Sequence, residues 1–237
     1  MAMQLNQVVP FGRSFDEYVK MFSLSEADLQ KSILSVADGP ASFNAEGTAR
    51  GYPIQSVDPL YAFNVEEIRS RFYAVLDNII QQIIDTEEDW VWSYHASVAD
   101  LKAHRIAVIE RFCADYPTGK QQKRYAIGQL PHLAYGSGSY DLGLCSHFLF
   151  LYSLQRDTAF HIAAITEMLR VCREVRIFPL LTLNLETSLH LPPVIEQLQN
   201  TGYSCSIETV EYELQPGGNQ MLKIHKSHLE MAERRLG

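Results

Sequence analysis

A chain of 237 residues, 46% hydrophobic and 20% charged, has the composition of a folded globular protein, long enough for one α/β domain with an embedded insertion. Its 28 acidic and 20 basic residues give a net charge of -8, with no long Lys/Arg run to offset it, so nucleic acid is not expected as a partner. No apolar run approaches the roughly 20 residues that a membrane-crossing helix needs, so no membrane partner is expected either. Residues 1–25 lack the charged start, apolar middle and small-residue cleavage site of a secretory signal, and the chain is expected in the cytoplasm. Cys113, Cys145, Cys172 and Cys205 are scattered without a Cys-x-x-Cys pair. Neither a metal site nor a disulfide framework is therefore expected.

In chain order, a short helix around Phe15, Tyr18, Met21 and Phe22 precedes predicted strands at 32–37 and 53–57. Asn64 with Glu67 three residues later is a capping pair, followed by Val65, Ile68, Phe72, Leu76, Ile79 and Ile83 at helical spacing. Ser97 with Asp100 opens a second helix carrying Val98, Leu101, Val108 and Phe112. Strands follow at 124–127 and 140–146, then a helix capped by Asp157 with Phe160, Ala164, Met168 and Val171 on one side, then a strand at 175–180. Pro192 and Pro193 suit a helix start and Gly202 its end. The last two strands, 204–213 and 220–225, are joined by Gln215-Pro216-Gly217-Gly218-Asn219, too short for a helix, so they must pair antiparallel.

Alternating strands and helices predict a mostly parallel sheet covered on both faces. The 66 residues from Asp58 to Arg124 exceed a simple crossover, so a helical insertion over 60–120 is expected within a single 1–237 domain.

The stretch Ile33 to Gly47, ILSVADGPASFNAEG, runs a buried strand into a tight turn and a helix start. In such sheets, ligands bind beyond the carboxyl ends of the strands. Small residues at Ala37, Gly39 and Ala41 let the backbone approach a ligand closely. Asp58, twenty residues beyond Asp38 at the end of the second strand, is placed to accept bonds from both hydroxyls of a ribose. The spacing points to a nucleoside-containing ligand, although no G-x-G-x-x-G is present.

ILSVADGPASFN resembles the first motif of class I S-adenosylmethionine-dependent methyltransferases: an apolar pair, an acid, then Gly-x-Gly-x-Gly. LAYGSGSYDLGLCSHFLFLY, 133–152, resembles the segment where those enzymes show Leu-Pro-Phe, a polar turn, Phe-Asp and an apolar fourth strand. The closing hairpin fits their antiparallel last strand. Roughly 33–58 and 125–225 are covered. The chain departs from the pattern at Ser35, where the family has the acid, and at Ala37 and Ala41, where it has glycines. Alanine costs little there if φ is negative and more if it is positive.

The resemblance implies a Rossmann-like seven-stranded sheet with its last strand antiparallel, S-adenosylmethionine as cofactor and a small-molecule substrate. It sets Asp38, Gly39, Pro40 and Ala41 along the methionine part, Asp58 on the ribose, and Pro59 and Leu60 against the adenine. Gln129, beside Leu130, stands where relatives carry an acid that accepts from the adenine amino group, and an amide oxygen can do the same. Ser146 is expected at the amino-acid end and His147 as general base, with a structural role for this histidine the alternative. Tyr18, Phe22, Trp92 and Asn219 are the expected substrate contacts, Trp92 belonging to an aromatic run (Trp90, Trp92, Tyr94) that alternatively packs within the insertion. Arg13 is read as a surface residue able to reach a carboxylate. Two other functions remain open: a non-catalytic cofactor-binding or interaction protein on the same fold, motivated by Ser35, Ala37 and Ala41, and a nicotinamide-dependent oxidoreductase, which the missing glycine fingerprint and the closing hairpin oppose.

Overall fold

Side chains of the first segment start their own helices. The computed structural model describes residues 10–227, so both ends of the expected 1–237 domain lie outside the described residues. Ser14 Oγ accepts from the N–H of Glu17 at 3.3 Å and Glu17 accepts from the N–H of Ser14 at 2.8 Å, a capping box that opens α1 (Phe15–Met21). Ser25 and Asp28 repeat it ahead of α2 (Glu26–Leu29). Then come β1 (Ile33–Val36), α3 (Phe43–Ala49) and β2 (Ile54–Val57).

Two long helices, α4 (Val65–Ile84) and α5 (Val98–Gln121), separate β2 from the two-residue β3 (Tyr125–Ala126). The predicted capping pair forms, Asn64 and Glu67 each accepting from the other's N–H, and Ser97 accepts from the N–H of Asp100. Ile68, Phe72, Leu76, Ile79 and Ile83 make the buried stripe of α4 and meet Leu101, Ile109 and Phe112 of α5. The chain continues through β4 (Tyr140–Ser146), α6 (Thr158–Val171), β5 (Cys172–Phe178), α7 (Leu191–Asn200), β6 (Tyr203–Thr209) and β7 (Gln220–Lys226).

The seven strands lie in the order β3-β2-β1-β4-β5-β7-β6. All pairs are parallel except those of β7, which runs antiparallel to both β5 and β6. This is the Rossmann-like layout with one reversed strand that the methyltransferase resemblance implies. Alternate residues of β1 serve opposite faces: Leu34 and Val36 pack with Met168 of α6 and Val194 of α7, whereas Ile33 packs with Phe43 of α3 and Met21 of α1. With both faces covered, all four residues of the strand are buried, and Ser35 is the one polar residue among them. Among the described residues no helix is long and apolar enough to cross a membrane.

Two strand limits differ from expectation by three residues or more. β5 begins at Cys172 and not at 175 because α6 passes into it with no intervening loop. β6 ends at Thr209 and not at 213 because the N–H of Val210 donates to Asn219 O and closes the hairpin, while Leu214 O accepts from the N–H of Val91.

Candidate active site

The bend after β1 is built from unusual backbone held by ordinary hydrogen bonds. Ala37 and Gly39 both take left-handed conformations, with φ of 55° and 54°. For alanine this costs about 1–2 kcal/mol. Asp38, between them, folds its side chain back beneath the strand. Its carboxylate accepts from Ser35 Oγ and Ser56 Oγ, each at 2.5 Å, and from the hydroxyl of Tyr18. Burial pushes its carboxyl pKa up, against those three bonds. Ser35, which stands where the methyltransferase motif carries an acid, thus helps hold an acid three positions later.

Asp58 meets this bend directly. Its Oδ2 accepts from the N–H of Gly39 at 2.9 Å, and its Oδ1 accepts from the N–H of Leu60 at 2.7 Å, capping the short 3-10 turn that begins at Pro59. Burial raises its pKa to about 6, the two N–H bonds oppose the rise, and the charge of Asp38 adds to it. The Tyr61 hydroxyl donates to Gly39 O at 2.7 Å. A Cβ built on Gly39 would meet nothing within 4 Å, so the bend exposes bare backbone to open space.

That space is a cavity of about 610 Å³. The structure brings Asp38, Gly39 and Pro40 of the bend together on its wall with Asp58, Pro59 and Leu60. Gln129, Leu130, Ser146, His147 and Tyr18 also line it. His147 has φ 52°, donates its N–H to Phe178 O at 2.7 Å and sets Nδ1 2.8 Å from Ser146 Oγ. Burial, reinforced by the positive charges of Arg13 and Arg105, holds its imidazole well below the usual pKa, so the ring is neutral at pH 7.

Four expected residues lie elsewhere. Ala41 is fully buried beneath the bend. Phe22 is fully buried too, its ring packed against Tyr18 and Phe178 in the core between sheet and α1. Trp92 turns away and donates Nε1 to Glu87 O at 3.0 Å, whereas Trp90 lines the cavity. The chain is not an extended strand here, so residues two apart do not share a side. Asn219 spends its amide on Glu213 at 3.3 Å, and Gln215 and Gly218 of the same turn take the cavity position.

In sequence the chain is 35% identical over 225 residues to the Uncharacterized protein MJ0045 of Methanocaldococcus jannaschii, covering 94% of this chain and 99% of that one. The chain belongs to the MJ0045 family. No family model matches it. Among solved structures it is similar to a magnesium protoporphyrin IX methyltransferase from Synechocystis PCC 6803, with TM-score 0.46, 12% identity and coverage of 90% of this chain and 78% of that one. It is also similar to a putative S-adenosyl-L-methionine-dependent methyltransferase from Methanococcus maripaludis, with TM-score 0.41, 12% identity and coverage of 90% and 83%.

One cluster of this MJ0045-family chain was not expected. Glu17, fully buried, is gripped by Arg105, whose guanidinium donates to both carboxylate oxygens at 2.8 and 2.7 Å. The Tyr212 hydroxyl donates to Glu17 at 2.9 Å and His104 Nε2 lies 3.2 Å away. Burial works to raise the Glu17 carboxyl, but Arg105 and the hydrogen bonds of His104 and His95 hold it well below the usual range. Arg13 shares this carboxylate at only 3.8 Å, and its Nε is buried with no hydrogen-bond partner. It stands in the cavity wall, not on the surface as expected, with a side chain 13% exposed. Its segment lies on the bend: Arg13 O accepts from the N–H of Ser42 at 3.0 Å, and a Cβ on Gly12 would fall 2.2 Å from Pro40 O. A signal existed, since Arg105 interrupts the apolar stripe Val98, Leu101, Val108 and Phe112. Glu17 gave none beyond an ordinary capping box.

Proposed function

We propose that this protein is an S-adenosylmethionine-dependent methyltransferase acting on a small molecule. The observation that carries the proposal is the Asp58 carboxylate, 2.9 Å from the N–H of Gly39, on the wall of the cavity at the carboxyl edge of a sheet with this strand order. The residues present suit the cofactor. The open backbone at Gly39 admits its close approach. Asp58 retains lone pairs for ribose hydroxyls after its two backbone bonds, and the Gln129 amide oxygen can accept from an adenine amino group. The unpaired Nε of Arg13 supplies a donor beside the bend for an amino-acid carboxylate.

S-adenosylmethionine supplies, when bound, a methyl group already activated on a sulfonium. The chain's own residues are left to orient the acceptor and exclude water. With Nδ1 of His147 facing Ser146 Oγ, Nε2 is the nitrogen available to take a proton from the acceptor. Calorimetric titration with S-adenosylmethionine and S-adenosylhomocysteine tests the proposal, and no binding at millimolar ligand would overturn it. A second reading, a non-catalytic cofactor-binding protein, is favoured by the low basicity of His147 and the left-handed Ala37. Binding without methylated product in cell extracts would select it.

A further inference from the structure

Four arginines line the cavity of a chain whose net charge is -8: Arg13, Arg71, Arg105 and Arg156. Against them stand Asp38 and Asp58 on the wall and Glu17 behind it. A bound S-adenosylmethionine, with one more positive than negative charge, widens that imbalance. Arg105 is saturated by Glu17, and Arg13 sits beside the same carboxylate and the bend.

Arg71 and Arg156 have no such duty. Among the described residues neither meets a carboxylate or donates a hydrogen bond. Each lies over an aromatic ring instead, Arg71 over Phe63 at 3.9 Å and Arg156 over Phe160 at 4.7 Å. Stacking fixes the plane of a guanidinium while leaving its N–H edges free, the geometry that takes a carboxylate or phosphate by two parallel bonds. Both residues are exposed although they line the cavity, so they stand at its mouth. Inward of them the wall is apolar, with Val75, Ile79, Leu101 and Phe148.

We propose that the methyl acceptor is an amphipathic anion, an apolar body carrying a carboxylate or phosphate ester, and that Arg71 and Arg156 receive its charged group at the cavity mouth. This rests on the methyltransferase reading for the word acceptor, but not for the anion preference. The positive mouth on an acidic protein also steers such a ligand inward at low salt.

The test is titration calorimetry on the full chain saturated with S-adenosylhomocysteine, using phenylacetate and phenyl phosphate against neutral phenylacetamide. The anions should bind about tenfold tighter than the amide, with the preference shrinking as salt shortens the Debye length to a few ångströms. Whichever anion binds tighter names the group. Arg71→Gln with Arg156→Gln should remove most of that preference and leave the S-adenosylhomocysteine affinity within about twofold. The proposal is overturned if the amide binds as well as the anions, if no anion binds at millimolar concentration, or if the double variant keeps the preference. Loss of the preference on Arg13→Gln alone would move the anion to the inner wall and equally overturn the assignment. Should S-adenosylhomocysteine itself fail to bind, the methyltransferase reading falls, while the same titrations without it still decide the anion preference.

Discussion

Asp58→Asn separates the structural from the ligand-binding role of this carboxylate. In the wild type the two oxygens accept from Gly39 and Leu60 N–H groups, and asparagine can satisfy only one of them, turning its amide protons toward the other. The pKa rises from 3.8 to about 6 on folding. At about 1.4 kcal/mol per pH unit, ionising Asp58 in the fold is harder than in the unfolded chain by about 3 kcal/mol. Because the folded value is the higher one, this group's contribution to stability is fully present below pH 3.8 and is lost as pH rises through about 6. Asparagine carries no such penalty at pH 7.5 but leaves one of the two N–H groups without an acceptor, at about 1–3 kcal/mol. The two effects nearly cancel in stability near neutral pH, while the pH dependence due to this site disappears. Ligand binding should not cancel. S-adenosylhomocysteine affinity should rise as pH passes through about 6, and the variant at pH 7.5 should bind weaker by about 1.5–3 kcal/mol, tenfold or more. Calorimetric titration across this pH range, with circular dichroism to confirm folding, reads both. Equal affinity of the two proteins at pH 7.5, or a wild-type affinity that ignores pH, would refute the role.

Gly39→Ala places a left-handed alanine where nothing crowds its Cβ, so it should cost about 1–2 kcal/mol in stability yet weaken S-adenosylhomocysteine by more than stability loss explains. An unchanged Kd contradicts this. Glu17→Gln leaves Arg105 and Arg13 buried without their carboxylate and should cost about 3–5 kcal/mol in denaturant titrations at pH 7, a loss under about 1 kcal/mol counting against the hub. Its pKa is depressed, so the stability it contributes is present above its ordinary value of 4.5 and lost as pH falls through the lower folded value. Gly12→Ala would drive a Cβ into the backbone of Pro40 and should destabilise by about 1–3 kcal/mol, wild-type stability being the refuting result. His147→Gln should lower kcat by about 10²–10⁴-fold with Kd for S-adenosylhomocysteine unchanged; undiminished turnover would remove it from the chemistry.

Much of the sheet was legible because its signals are local. The run at 140–146 forms β4 over the same residues, since seven residues bounded by a Gly/Ser turn and a polar exit leave little choice. Asp58 and the bend were legible for the same reason: strand, turn and strand end lie within one short unit. Other boundaries failed where punctuation was missing, as at the direct passage from α6 into β5, or where alternation outlasted the ladder, as at Val210, Tyr212 and Leu214. These residues stay apolar because they pack under α1 and beside the helical pair, which a two-residue period cannot distinguish from a sheet face. The Glu17 cluster escaped because its partners are 88 and 195 residues away. Trp90, Trp92 and Tyr94 would share one side only on an extended backbone, which the chain does not adopt there.

The bonds of Glu17 bear on the order in which the molecule can be completed. Its carboxylate belongs to α1, and the hydroxyl of Tyr212 that joins it arrives only after a further 195 residues have been synthesised. Until then a charged group destined for the interior must wait in water, and the inner wall of the ligand site stays ajar. Closure therefore depends on contacts of the greatest sequence separation, which are slow to form and leave apolar surface exposed in the growing polypeptide. Competence to hold a ligand should appear as a terminal event of folding.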